Sequence, residues 1–276
     1  MAVALIRAEG AFAPIAPQKG PSTRIAVGGS PCSGKTLHIR TMLGDSGMYV
    51  LDMDNYLLPL MKELPEGHDL GNNDLHEVAG RVLFSKTFRE LTYEKPTGHI
   101  LTQCLDTLEK VRRSVIRPAE EQRFETRYDD LYCSLSVALL RLLTRSSSGR
   151  DPLTPLDEVL QRFKNYRISR RHVLREVMRS RWIVEYTLIK NGRFVASKMA
   201  GQLWIANRRR FEKLMRPDLD KEIDAKIAKT LNKPITDELI ERKVKKGLIA
   251  PSQIPSLKAW KGKTLHEAIQ ARTSEA

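Results

Sequence analysis

The sequence predicts an α/β fold with a mainly parallel sheet, and three observations carry that prediction. Arg24–Gly28 reads as a short buried strand bounded by glycines. A glycine-rich turn and a helix over Lys35–Leu43 follow it, stopping near Gly44. Met48–Asp52 is then a second strand of the continuous apolar type that parallel sheets prefer. Strand, turn, helix and strand make a βαβ unit, the repeating piece of a three-layer fold.

The turn carries chemistry. Gly29-Ser30-Pro31-Cys32-Ser33-Gly34-Lys35-Thr36 satisfies G-x-x-x-x-G-K-[ST] in full, after a strand and at the start of a helix. Glycines let successive N–H groups turn inward, and the helix adds the positive end of its dipole, so the loop is built to enclose phosphate. Lys35 then supplies a cation to the β- and γ-phosphates, and Thr36 offers a hydroxyl to Mg²⁺. ATP or GTP with Mg²⁺ is the expected ligand. Asp52 and Asp54 sit where the second strand ends, the edge at which open parallel sheets bind ligands. A carboxylate there can order Mg²⁺ or take a proton from an attacking hydroxyl; Asp52 is assigned the metal and Asp54 the base. The fold class is therefore a P-loop NTPase or kinase fold.

Further along, Leu57–Asn73 is rich in Pro, Gly and Asn and reads as irregular. Asp74–Leu91 is a helix candidate, and His99–Gln103 and Val111–Ile116 are expected as third and fourth strands. Ala119–Arg145 reads as predominantly helical, with Pro118 suited to its start. Ser146–Pro152 is linker-like. Helix over Leu156–Phe163 and a basic helical stretch over Ser169–Ser180 follow. Trp182–Ile189, Asn191-Gly192 and Arg193–Ala196 read as strand, turn and strand. Beyond Lys198 helices are expected over Gly201–Met215, Leu219–Leu231 and Ile235–Lys246. The organisation is thus an arm (1–20), a P-loop domain (21–198) and a helical basic C-terminal region (199–276).

Net charge is +14, from 47 basic and 33 acidic residues, a field that favours polyanions. The Arg208-Arg209-Arg210 run beside Trp204 and Phe211 reads either as a nucleic-acid contact or as a solvated helix face. The three cysteines Cys32, Cys104 and Cys133 have no disulfide or zinc spacing and fit a reducing cytoplasm. No run of 18 apolar residues predicts a membrane span. The apolar start Met1–Pro17 lacks a basic lead, so an arm is expected there and not a signal peptide.

Gly28-Gly29-Ser30-Pro31-Cys32-Ser33-Gly34-Lys35-Thr36, followed by Val50-Leu51-Asp52-Met53-Asp54-Asn55-Tyr56, resembles the zeta-toxin kinases. Those proteins carry a similar GG-x-P-x-[SA]-G-K-T loop and a V-[IL]-D-x-D-x-[FY] segment. The resemblance implies a P-loop phosphotransferase whose known relatives phosphorylate UDP-N-acetylglucosamine on a sugar hydroxyl. It implies that Lys35 and Thr36 hold ATP–Mg²⁺, that Asp54 is the general base, and that Arg167 and Arg170 lie in an arginine-bearing lid. Val115–Pro118 and Thr126–Tyr128 are similar to the family's fourth strand and following helix. Two departures stand out: Cys32 replaces a customary glycine, and Ile100–Gln103 ends without the family's acidic signature.

The leading expectation is transfer of the γ-phosphate to a hydroxyl of a small molecule, a nucleotide-sugar among the candidates. The alternatives are an NTPase or nucleotide-binding protein whose basic C-terminal region grips nucleic acid or an acidic protein, and a kinase fold that binds nucleotide without catalysis.

Overall fold

A computed structural model describes residues 23–43, 48–53, 56, 84–94, 98–145, 154–216 and 218–274. The expectations for the N-terminal arm, for Asp54, for the irregular stretch after Leu57 and for the linker at 146–152 lie outside them.

Seven strands form one sheet in the order β2-β3-β1-β4-β5-β6-β7. They are β1 (Thr23–Gly29), β2 (Tyr49–Asp52), β3 (His99–Thr102), β4 (Glu125–Tyr132), β5 (Ile183–Lys190), β6 (Arg193–Met199) and β7 (Gln202–Ile205). The first five pair in parallel, and β5–β6 and β6–β7 are antiparallel. In register, Asp52 of β2, Thr102 of β3 and Val27 of β1 stand side by side near one carboxyl edge. That edge carries the loop after β1.

Side chains alternate across the sheet. Ile25, Val27, Ile100 and Leu131 face helix α1 (Lys35–Leu43) through its Ile39. Ala26, Tyr128, Tyr132, Tyr186 and Leu188 face the opposite way into the main core. There they meet α5 (Leu135–Leu143) and α6 (Leu156–Arg179). The short α2 (Ser85–Arg89) precedes β3, and α3 (Leu108–Val111) passes through a π-type turn (Arg112–Ile116) into α4 (Arg117–Gln122). Helix α6 is one helix where two pieces were expected. Its buried Val159, Phe163, Tyr166, Arg170, Val173 and Val177 recur at alternating spacings of four and three.

Two neighbouring expectations are overturned. Val111–Ile116 is helical, because Val111, Ser114, Val115, Pro118 and Ala119 bury at helical spacing. Glu125–Tyr132, read as helix, is the central strand β4. With it the supposed order of a strand at Val115–Pro118 and a helix at Thr126–Tyr128 is reversed. β4 escaped notice because it carries charge where a central strand ordinarily carries aliphatics. Asp129 points to the α1 face and accepts from Arg127, and it lies 2.9 Å from His38 of α1. Asp130 points to the α6 face and accepts from Tyr166 (3.1 Å), Tyr186 (2.9 Å) and Arg170. Each carboxylate is fully buried and ion-paired, Asp129 with Arg127 of its own strand and Asp130 with Arg170 of α6.

The β5–β6 turn has Asn191 at φ 51° and Gly192 at φ 69°, the pair of left-handed residues that Asn-Gly announces. A second such turn, Ala200 (φ 48°) and Gly201 (φ 78°), adds strand β7, where the sequence had predicted helix from Gly201. Alanine rarely takes that conformation, so the turn left no signature.

The C-terminal helices are α7 (Arg208–Met215), α8 (Asp220–Leu231), α9 (Asp237–Lys245), α10 (Ile254–Lys258) and α11 (Leu265–Ser274). Their Leu214, Ile223, Leu239, Leu257 and Leu265 belong to the same hydrophobic cluster as Leu139 and Tyr166. The core is therefore continuous across residue 199. No helix among the described residues is long and apolar enough to cross a membrane.

Candidate functional site

The loop from Gly29 to Thr36 is shaped by where the chain leaves β1. A Cβ on Gly29, at φ 143°, would stand 1.9 Å from the Leu131 carbonyl oxygen of β4, so no side chain fits. Ser30 N–H donates to that same carbonyl at 3.1 Å. Cys32 (φ 53°) and Gly34 (φ 95°) are left-handed, which curls the loop before α1 begins. The loop's carbonyls are tied back into the protein. Cys133 Sγ lies 3.6 Å from both the Pro31 and Cys32 oxygens, and Arg141 Nη1 donates to Cys32 O at 2.8 Å. With those carbonyls engaged, the amide face of the loop is left for an anion.

Lys35 Nζ lies 3.3 Å from Ser30 O and 3.6 Å from Cys104 Sγ, so its ammonium sits over the loop. Ser33 Oγ is buried with no hydrogen-bond partner among the described residues. A phosphate oxygen is the group that would relieve it. Thr36 stands exposed on the first turn of α1, and Asp52 is half-buried at the end of β2. Glycine-rich cradle, lysine, hydroxyl and edge carboxylate are thus brought to one side of the sheet.

The arginines expected on a lid are placed elsewhere. Arg170 is fully buried in the core, paired with Asp130 and stacked 3.6 Å over the Tyr166 ring. Burial pushes the guanidinium down, but Asp130 together with Tyr166, Tyr128 and Tyr186 outweighs it and holds the charge well above its ordinary value. Arg167 donates to Asp218 (Nε, 2.9 Å) and to the Lys213 carbonyl (3.1 Å), fastening α6 to the segment around α7. Neither side chain is free to swing over the loop without breaking these bonds.

The α6 cation that does lie beside the loop is Arg162, which the sequence reading passed over. Its charge acts on Cys104, the thiol that touches Lys35, and it is ion-paired with Glu158. Burial pushes the Cys104 thiol up, but Lys35 and Arg162 more than offset it, leaving the thiol below its ordinary value. Two cations therefore converge on one sulfur above the phosphate loop. Nearby Asp106, fully buried, accepts from Lys110 (2.6 Å) and Asn165 (2.9 Å). This carboxylate arrives four residues past β3, so inspecting the strand end alone missed it. All three cysteines gather here: Cys32 within the loop, Cys133 beneath it and Cys104 on its lysine. Among the described residues no group of three or more His, Cys, Asp or Glu is arranged to hold a metal ion.

No protein-family model matches the chain, and no curated protein matches it. Solved structures do. A chain of the AvrRxo1-ORF1:-ORF2 complex is 22% identical with a TM-score of 0.71, the alignment covering 91% of this chain and 79% of that one. The same complex solved with ATP gives 21%, a TM-score of 0.73, and coverage of 91% and 80%. A chain of the PezAT toxin–antitoxin system of Streptococcus pneumoniae is 13% identical, with a TM-score of 0.51 and coverage of 84% and 93%. The chain shares the fold of these structures. At these identities the likeness extends to the fold, in which β1, the loop and α1 take their expected places.

Proposed function

We propose that the protein is an ATP- and Mg²⁺-dependent phosphotransferase acting on a hydroxyl of a small molecule. The observation that carries this is the approach of Lys35, with Arg162 acting on the same sulfur, to Cys104 beside the Gly29–Gly34 loop. Two cations aimed at one position over an amide-lined cradle match the charge that develops on a transferring phosphoryl group. The P–O bond to the β-phosphate breaks, a bond to the acceptor oxygen forms, and the acceptor's proton passes to Asp54. Thr36 and Asp52, both hard oxygen donors, would hold Mg²⁺, which supplies neutralisation of the phosphate oxygens. Arg167 and Arg170 anchor α6 in this reading, and Arg162 does what was expected of them. An ATP-bound structure of the same fold supports the choice of nucleotide. Related folds were solved as two-component complexes, and a protein partner belongs to the same proposal, as does a cytoplasmic setting.

The test is incubation with γ-labelled ATP and a metabolite extract, with the labelled product identified. Lys35→Ala abolishes labelling, whereas Asp54→Asn abolishes it but keeps nucleotide binding. Undiminished product from Lys35→Ala would sink the assignment.

A further inference from the structure

Next to the loop, and bridged to it by Arg141, lies a second concavity, of ≈ 640 Å³. Eight of its lining side chains are Lys or Arg, contributed by three separate elements. The β5–β6 hairpin gives Lys190 and Arg193, α7 gives Arg209, and α9 gives Arg242 and Lys243 among others. Among the described residues no carboxylate lines it, and none of these eight cations is ion-paired. The polar partners it does have are neutral: Lys243 Nζ reaches Ser136 Oγ at 3.0 Å, and Lys190 lies 5.4 Å over the Tyr132 ring.

Concentrated like charge without counter-ions is unfavourable until something neutralises it. The molecule registers that cost. Burial, then Arg167, Lys213 and Arg210, push Lys190 down to about 8. Burial, then Lys233, Arg242 and Lys246, bring Lys243 to about 8 as well, against a small opposing effect from Cys133. Some cations elsewhere on this protein do find carboxylates, as Arg167 does in Asp218 and Lys164 in Asp224.

We propose that this cleft binds a compact polyanion, a small molecule carrying two or more phosphate groups, at a site separate from the phosphate loop. Its volume is that of a small-ligand pocket. The cations surround a cavity where a nucleic-acid surface would string them along a track. Among the described lining residues there is no aromatic ring on which a base could stack. The exposed rings nearby, Phe194 and Trp204, stack on each other at 5.3 Å instead. The two sites are neighbours on one carboxyl edge of the sheet, since Gly29, Leu131 and Ile189 stand in register one residue before Lys190. Arg141 donates through Nη1 to Cys32 O in the loop and through Nε to Leu248 O at 3.0 Å, and Leu248 lines the cleft.

The experiment is calorimetric titration of the full chain with pyrophosphate, tripolyphosphate, ADP and a twelve-base oligonucleotide, at physiological salt. Tripolyphosphate is expected to bind the Lys35→Ala protein, in which the phosphate loop is disabled. Arg209→Gln with Arg242→Gln weakens that binding by about tenfold per side chain and leaves ATP binding to the otherwise intact chain unchanged. In the Lys35→Ala protein, ADP binding that exceeds pyrophosphate binding and falls with Arg209→Gln and Arg242→Gln marks a nucleotide as the source of the phosphates; equal affinity that falls likewise marks the phosphates alone, and both support the site. Loss of tripolyphosphate binding in Lys35→Ala overturns it, because the phosphate loop was then the site. So does an oligonucleotide that binds far more tightly than tripolyphosphate with a steep salt dependence, which would make the surface one for nucleic acid. Neither result depends on phosphotransfer, so a failed kinase assignment leaves this test standing.

Discussion

Replacing Arg170 by alanine distinguishes a core ion pair from a lid residue. The guanidinium is fully buried against Asp130, whose carboxylate is itself fully buried. Without Arg170 that carboxylate keeps two tyrosine hydroxyls and loses its counter-charge. Breaking a buried pair from one side costs about 3–5 kcal/mol. For a domain of this size each kcal/mol moves the melting temperature by roughly 2–4 °C, so Arg170→Ala should melt about 6–20 °C lower. Removing both charges together, as in Arg170→Met with Asp130→Asn, should recover much of the loss, since a neutral pair leaves no orphaned ion. Thermal melts followed by circular dichroism read both variants, with nucleotide binding measured below the transition. If Arg170→Ala melts with the parent protein yet loses phosphotransfer, the ion-pair argument is wrong and the side chain serves the chemistry directly.

Alkylation of Cys104 by iodoacetamide should be faster than that of Cys133, whose thiol burial pushes up to about 11, and ATP–Mg²⁺ should slow it by drawing Lys35 and Arg162 onto phosphate. Mass spectrometry of the labelled peptides reads the order, and equal rates with and without nucleotide would count against the placement of Lys35. Asp129→Asn should destabilise the protein by roughly 1–3 kcal/mol at pH 7. Burial raises that carboxyl, but His38 and Arg127 outweigh it and hold it below its ordinary value. Its contribution is therefore complete above about pH 4 and fades as pH falls through the folded-state pKa. Denaturant melts of the two proteins should converge in acid; a gap that persists there would refute the charge-based account.

The legible part of this molecule is the part where the backbone itself demands particular residues. Gly29 has no room for a Cβ, Gly34 and Gly192 need left-handed φ, and Lys35-Thr36 must follow directly. Such demands are local, so they survive in a single sequence. β4 was illegible because its legitimacy as a buried strand comes from residues far along the chain, His38 on one face and Tyr166, Arg170 and Tyr186 on the other. The same holds for Cys104 and Arg162, which become neighbours only once β3 and α6 are folded beside the loop. Arg167 and Arg170 were singled out by the family resemblance, and the helical period gave both to other partners, Asp218 and Asp130. β7 was hidden by a left-handed Ala200.

Arg141 ties the chain beyond residue 199 to the Gly29–Thr36 loop, and so to the nucleotide binding proposed for it. One guanidinium steadies the carbonyl of Cys32 and the carbonyl of Leu248 together. Any ligand, partner or substitution that shifts the α9 segment therefore changes how firmly the loop is held for the proposed nucleotide. Thermodynamics makes such an effect run both ways: the factor by which an occupant of the C-terminal helices alters the affinity for ATP is the factor by which ATP alters the affinity for that occupant.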